Sequence, residues 1–417
     1  MNKIVSKIKN NIRFLENFSC LTFLYIFNLL VPFFTYPYVI RVLGVELYGS
    51  IIFAQAIVMY FSQIIEFGFN ISATKSISEN IGNRKVISEI VSSVLLLKFL
   101  LWAICLFFIF VSMLVFSELR NNKLLYIFAF SMTFRDLLFP QFYFQGIEKM
   151  KYITLINVFV RSLFLVSVFW IIKEQSDYLK LPLLNGIGAM LGGIIALYIV
   201  FVKERIRFTL PSKEIIKSYF RDSFVIFSTK LSYYFRDQTA LILVGIIFSK
   251  AVVTYYDLAV KIIGLFVTIY HSVPNSILPR LIKTRNTNFA KIIFRLTIIT
   301  GILYSIFVVI FSNFITHFLG GEELLPAVPY LRLFSVSTVF FALNLLLNNY
   351  LVINGYKNLM LRSTIFSLSF FVLSLFTLFI RTDLYLLIIF FLLSIILETF
   401  SKLYFFIKNK ELNSWIY

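Results

Sequence analysis

The sequence predicts an all-α polytopic membrane protein of about twelve transmembrane helices, and three observations carry that prediction. Hydrophobic residues fill 59% of the 417 positions and charged residues only 14%, where an ordinary soluble domain carries about 25% charged residues. Mean hydropathy is +0.88. Apolar runs long enough to cross a hydrocarbon core, about 20 residues each, recur from end to end, and no stretch between them is large enough to fold as a separate domain.

Taken in order, the spans are expected at residues 17–40, 48–70, 89–117, 124–144, 152–172, 181–201, 219–248, 252–277, 289–317, 325–353, 360–381 and 384–405. The first follows the basic opening MNKIVSKIKNNIRFLENF. It is as long as a full span and lacks a small-residue cleavage site, so we read a retained helix and not a signal peptide. The sixth carries Gly188 and Gly192, a small-xxx-small pair of the kind that packs helices together. Outer connectors are short: residues 44–47, 118–123, 173–180 and 320–323.

Orientation follows from Lys and Arg in short loops, which favour the cytoplasmic side. A cytoplasmic N-terminus gathers about twenty-five cations on one side, Lys402 and Lys408 of the last loop among them, against roughly seven on the other. Both termini are then cytoplasmic, which requires an even number of spans. The formal net charge of +19 is thus a topology signal; it implies no nucleic acid, although basic inner loops also favour anionic lipid headgroups. Cys20 and Cys105 fall inside separate spans, which supports neither a disulfide framework nor a metal cluster. His271 and His317 lack nearby ligand partners, so no metal centre is expected.

Six cations, Lys98, Arg135, Arg161, Lys230, Arg236 and Lys261, sit in the middle of these apolar stretches. Each costs about 2.5–3.5 kcal/mol at a helix centre on insertion scales, so such residues line a polar interior and mark a passage or binding site. The acids at similar depth are mainly Asp136, Asp237 and Asp257, which leaves a positive excess suited to an anion. Arg161 has no acid within a turn. Lys261 lies four residues after Asp257, the spacing of an intrahelical ion pair, so a structural role competes with a cargo role there. Lys98 also has a structural reading as a contact within the first bundle. Arg135-Asp136 and Arg236-Asp237 are neighbours that point in different directions on a helix, so each needs another partner, and pairing with one another across helices is one reading. Glu66, Glu398 and Asp257 are candidate coupling sites for H⁺ or Na⁺, because a desolvated carboxyl can exchange a proton; the alternative for the two glutamates is a hydrogen-bonded helix-end carboxylate.

An internal repeat organises the chain. Phe144-Gln145-Gly146-Ile147-Glu148-Lys149-Met150 has a counterpart in Ile353-Asn354-Gly355-Tyr356-Lys357-Asn358-Leu359-Met360. The offset is about 209 residues, as duplication of a six-helix unit gives. Six is even, so the two six-helix bundles, residues 1–208 and 209–417, share one orientation about a pseudo-twofold along the membrane normal. Such bundles leave a cleft and rock about it to give alternating access. The basic Lys203-Glu204-Arg205-Ile206-Arg207 stretch and Pro211 form the expected linker.

The run from Pro140 to Thr154, with Gln145-Gly146-Ile147-Glu148-Lys149-Met150 at its centre, resembles the signature of the O-antigen repeat-unit flippases. So do Arg41-Val42-Leu43-Gly44-Val45-Glu46-Leu47-Tyr48-Gly49 and Glu66-Phe67-Gly68-Phe69. These proteins belong to the multidrug/oligosaccharidyl-lipid/polysaccharide exporter superfamily, and the resemblance covers nearly the whole chain. Tyr143 departs from the Trp-Phe-Phe often found before the Gln-Gly. The resemblance implies translocation of an undecaprenyl-diphosphate-linked oligosaccharide from the cytoplasmic to the periplasmic leaflet of a bacterial inner membrane. It also implies a polysaccharide polymerase and a chain-length regulator as partners.

The residues suit that cargo. Arg and Lys in a low-dielectric cleft hold a diphosphate by charge-assisted bonds, and Tyr233, Tyr234, Tyr255 and Tyr256 offer amphipathic rings to sugar faces, with interfacial belt and packing roles as the competing reading. Gln145, Gly146, Glu148 and Lys149 sit at a turn that either gates the cleft or is an ordinary capped connector. Two other classes compete. A membrane polymerase or glycosyltransferase needs a sizeable outer loop with paired catalytic carboxylates, and none is present. A drug/cation antiporter of the same superfamily needs an acidic cavity, whereas this one is basic.

Overall fold

The computed structural model describes residues 2–210, 213–270, 287–353 and 356–408, and the described residues contain helices and no strand. Helix α1, Asn2–Glu66, holds the first two expected spans and Pro32 and Pro37, and is broken at Gly44, with φ 77° and ψ 164°. Only glycine adopts that conformation without strain. The expected connector at 44–47 is therefore corrected to a one-residue kink, with 45–47 helical. Phe67 (φ 45°) and Gly68 (φ 77°) then turn the chain into α2, Phe69–Glu79. Helix α3 is Arg84–Val115, with the Asn83 side chain accepting from the Val86 N–H at its start.

The fourth expected span is not one helix. After α4, Ser117–Asn121, come α5, Lys123–Phe130, a 3₁₀ turn Ser131–Thr133, α6, Phe134–Leu138, and α7, Gln141–Gly146. Pro140 explains the break: it has no N–H and forces the residue before it out of the helical region, and Phe139 is extended, with φ −92° and ψ 104°. Helix α8, Met150–Ile171, packs on α9, Lys180–Tyr198. An added Cβ would lie 3.0 Å from Val160 at Gly188 and 3.1 Å from Val160 at Gly192, so the small pair does set the helix approach.

The later helices are α10, Lys213–Ile247; α11, Lys250–Tyr270; α12, Thr287–Gly320; α13, Val328–Ser335; α14, Ser337–Ile353; α15, Lys357–Leu375; and α16, Leu384–Lys408. The expected end of the eighth span at 271–277, with His271, and the Asn354-Gly355 arm of the repeat lie outside the described residues. Among the described residues, eight helices are individually long and apolar enough to span, the first of them holding two expected spans. The fourth span is broken by Pro140, the seventh carries Lys230, Arg236 and Asp237, and the tenth ends in a helix of 17 residues. With these three the count is the expected twelve.

The chain packs as two compact units: residues 1–47 with 53–231, and residues 48–52 with 232–417. The division falls inside α10, downstream of the basic linker. The start of α10 belongs to unit 1 because Phe67 stacks on Phe220 at 4.4 Å and Phe227 at 4.5 Å, and the Ser72 and Ser223 hydroxyls meet at 2.7 Å. In unit 2, Gly49 lies against α11 so closely that an added Cβ would sit 1.8 Å from the Lys250 carbonyl oxygen.

Candidate anion-binding site

Two of the six cations come together in unit 1. Arg135 on α6 and Arg161 on α8 line one cavity of about 90 Å³ with Met132, Asn157, Val160, Phe164, Leu184, Asn185, Gly188 and Ala189. The break at Pro140 makes α6 short, which sets Arg135 beside α8 and α9. Asn157 precedes Arg161 by one turn and shares its face. Gly188 and Ala189 leave the space that larger side chains would fill. Asn157 donates to the Ile153 carbonyl at 2.7 Å and Asn185 to the Leu181 carbonyl at 3.3 Å, each keeping a second N–H for a ligand.

Among the described residues neither guanidinium forms an ion pair, and the charged neighbour of Arg161 is the like-charged Arg135. Arg135 also has Asp136 beside it, which shares its field with Lys98 and Glu66. Two guanidiniums facing one small cavity in low dielectric repel each other and together attract an oxyanion. A cavity of this size suits a small oxyanion such as one phosphoryl group.

The other four expected cations are each engaged. Lys98 is buried, donates to the Asp136 backbone carbonyl at 2.9 Å and lies 5.5 Å from the Phe142 ring centre. Lys230 pairs with Glu66 at 3.1 Å. Lys261 forms the expected i,i+4 pair with Asp257 at 2.5 Å and donates to the Tyr48 hydroxyl at 2.6 Å. Arg236 has in Glu398, at 2.8 Å, the further partner that the sequence calls for, and its long guanidinium also folds back to its neighbour Asp237 at 3.2 Å. Lys402, counted in the sequence as a loop cation, is instead fully buried and pairs with Glu398 at 2.6 Å.

Glu66 is a helix-end carboxylate. It accepts from the Gly68 N–H at 3.0 Å and the Asn70 N–H at 3.3 Å, at the start of α2 where the helix dipole favours an anion. One of the four tyrosines, Tyr256, is corrected as a sugar platform. Tyr233 is bound to Thr364 at 2.9 Å and Glu398 at 3.4 Å, and Tyr256 is buried edge-on against Phe334.

The Gln145–Lys149 turn is docked on its neighbours. Thr74 donates to the Phe142 carbonyl at 3.2 Å and Gln145 Oε1 at 3.4 Å. A Cβ on Gly146 would lie 2.6 Å from Ile77. Glu148 has φ 57°, and Lys149 pairs with Glu204 at 2.6 Å.

Residues 14–285 match the model of a family described as polysaccharide biosynthesis protein. A relative from Escherichia coli (strain K12), named "Putative O-antigen transporter", is 27% identical over 264 residues, 63% of this chain and 64% of that protein. Another of that name from Shigella dysenteriae is 31% identical over 175 residues, 42% of this chain and 43% of that protein. The matches thus span less than two thirds of either relative. Among solved structures, the lipid II flippase MurJ in an inward closed conformation matches with TM-score 0.70 at 12% identity, over 96% of this chain and 90% of that one. An inward-facing multidrug resistance MATE family transporter of the MOP superfamily matches with TM-score 0.67 at 15% identity, over 91% and 94%. At these identities the likeness is one of fold.

Proposed function

This chain belongs to the polysaccharide biosynthesis protein family, and from that premise we propose that it is a flippase for a polyprenyl-diphosphate-linked oligosaccharide. It is a multi-pass membrane protein, and both relatives carry the name "Putative O-antigen transporter". One observation supports the cargo above the rest: the Arg135–Arg161 cavity, with two guanidiniums and two carboxamides and no ion pair to either guanidinium among the described residues.

The diphosphate is the group of such a cargo that costs most to bring through hydrocarbon. Arg135 and Arg161 offset that cost by charge-assisted bonds to one phosphoryl group, Asn157 and Asn185 take neighbouring hydroxyl or amide groups, and the polyprenyl tail stays in lipid. In this reading the two six-helix bundles, residues 1–208 and 209–417, alternate access between the leaflets of a bacterial inner membrane, with both termini in the cytoplasm. H⁺ or Na⁺ drives the cycle, a polysaccharide polymerase and chain-length regulator act next, and the Gln145–Lys149 turn follows the movement. A cation antiporter would need carboxylates where this cavity has guanidiniums.

The test is flipping in proteoliposomes. A fluorescent undecaprenyl-diphosphate oligosaccharide should move with the wild type and at least tenfold more slowly with Arg161→Ala at matched incorporation. Equal rates would remove the cavity from the path; no movement by the wild type under H⁺ or Na⁺ gradients would remove the flippase reading.

A further inference from the structure

The two repeats differ at corresponding places. In unit 1 the Tyr38 ring lies 4.6 Å from that of Phe169, and the Tyr38 hydroxyl donates to the Ile172 carbonyl at 2.6 Å. Aromatic side chains thus close the crevice between α1 and α8. At the repeat offset of about 209 residues, the counterparts of Tyr38, Phe169 and Ile172 are Ile247, Leu378 and Arg381. Two aliphatic side chains stand where unit 1 has two rings. Between the end of α10 and the 3₁₀ turn Phe376–Phe379 that follows α15, a cavity of about 630 Å³ remains, lined by Ile247 and Leu378 together with Leu243, Ile246, Leu375 and Thr382.

That volume lies in the range of pockets that hold a whole small ligand, about 300–1,000 Å³. Apart from Thr382, the wall these residues form is apolar. In lipid an unfilled void forfeits the dispersion contacts its walls would make, so a hydrocarbon chain entering it gains them. Polar groups stand beside the cavity at one end only. Lys250 folds back to donate to the Gly245 carbonyl at 3.2 Å, in the turn of α10 that carries Ile246 and Ile247. Arg381 precedes Thr382, is 78% exposed and pairs with Asp383 at 3.5 Å, a long surface pair of the kind worth little. Two cations therefore outweigh the one carboxylate on residues 380–383 and 248–250. An apolar slot with a basic mouth matches an amphiphile that has a hydrocarbon chain and an anionic head, and a guanidinium takes a phosphodiester by paired charge-assisted bonds.

We propose that this cavity holds one acyl chain of an anionic phospholipid whose phosphate lies on Arg381 at the mouth. The occupant is a lipid of the surrounding bilayer, and the site belongs to unit 2 alone. The inference rests on the multi-pass membrane reading and not on the flippase one, and its readout is lipid retention, not transport.

The experiment is native mass spectrometry of the purified full chain with dioleoyl phosphatidylglycerol or dioleoyl phosphatidylcholine, which share their chains and differ in headgroup charge. Wild type should hold one phosphatidylglycerol at least tenfold more tightly than phosphatidylcholine. Leu378→Trp, which puts a ring where unit 1 has Phe169, should weaken phosphatidylglycerol at least tenfold; Ile247→Trp fills the slot from the other wall and serves if the first variant does not fold. Arg381→Gln alters an exposed side chain and should lose about tenfold of the headgroup preference, the value of one charge-assisted hydrogen bond. Equal retention of the two lipids by wild type would overturn the proposal, as would a folded tryptophan variant with wild-type affinity or an Arg381→Gln protein with the full preference. Polyprenyl phosphate that displaces phosphatidylglycerol and binds more tightly would assign the cavity to a carrier lipid instead. A dimer that the tryptophan variants lose would assign it to a second copy of the chain, and either result would overturn the phospholipid reading.

Discussion

Removing Arg161 should lower cargo affinity without lowering stability, a combination that distinguishes a cation held for a ligand from one held for the fold. Its charged neighbour is Arg135 and it forms no ion pair among the described residues, so Arg161→Ala removes a like-charge repulsion and strands no partner. Stability should stay constant or rise by about 1 kcal/mol, as when a strained functional site is relieved. Affinity should fall by the value of one charge-assisted hydrogen bond, about 1.5–3 kcal/mol, or roughly 10–150-fold. Arg236→Ala is the control. It leaves Glu398, paired at 2.8 Å, without one of its cations, and loss of one partner of a buried pair costs about 3–5 kcal/mol. The assays are thermal unfolding in detergent and equilibrium binding of a fluorescent polyprenyl-diphosphate sugar. An Arg161→Ala protein destabilised as much as Arg236→Ala, with unchanged affinity, would refute the reasoning.

Three further outcomes follow from contacts elsewhere. Glu398→Gln should destabilise by about 3–5 kcal/mol, and combining it with Lys402→Met should recover part of the loss; a thermal double-mutant cycle reads the coupling, and strict additivity would contradict the buried pair. Gly49→Ala should sharply lower the yield of folded protein, because its Cβ would meet the Lys250 carbonyl oxygen at 1.8 Å; size-exclusion profiles check this. Lys149→Ala removes a half-exposed pair with Glu204 and should cost less than about 1 kcal/mol, so a large drop in melting temperature would give that turn a different role.

The spans were legible because a run of about 20 apolar residues leaves little choice of structure in a bilayer. The motif residues were legible as positions but not as roles. Gly44 and Gly68 stand where φ is 77° at each, Gly49 and Gly146 stand where another helix leaves no room for a Cβ, and Glu66 caps a helix. Pro140 marks the break at Phe139, but the apolar run continues through it and hides the break from a hydropathy reading.

Which cations meet was not legible, since hydropathy places a residue at a depth and says nothing of the face it presents. Asn157, one turn before Arg161, was the signal for the cavity that the sequence reading missed; Asn185 gave none. Lys402 was missed for a different reason. Counting loop cations placed it outside the membrane, although Glu398 and Lys402 stand at the i,i+4 spacing that had been recognised for Asp257 and Lys261.

The measurement closest to the central claim is equilibrium binding of three lipids that share one oligosaccharide and one polyprenyl tail and differ only in the link: diphosphate, monophosphate or an uncharged ether. The account predicts that wild type prefers the phosphorylated lipids to the ether by at least tenfold, and that an Arg135→Ala/Arg161→Ala protein of unchanged melting temperature binds all three alike. The same preference in both proteins would contradict it.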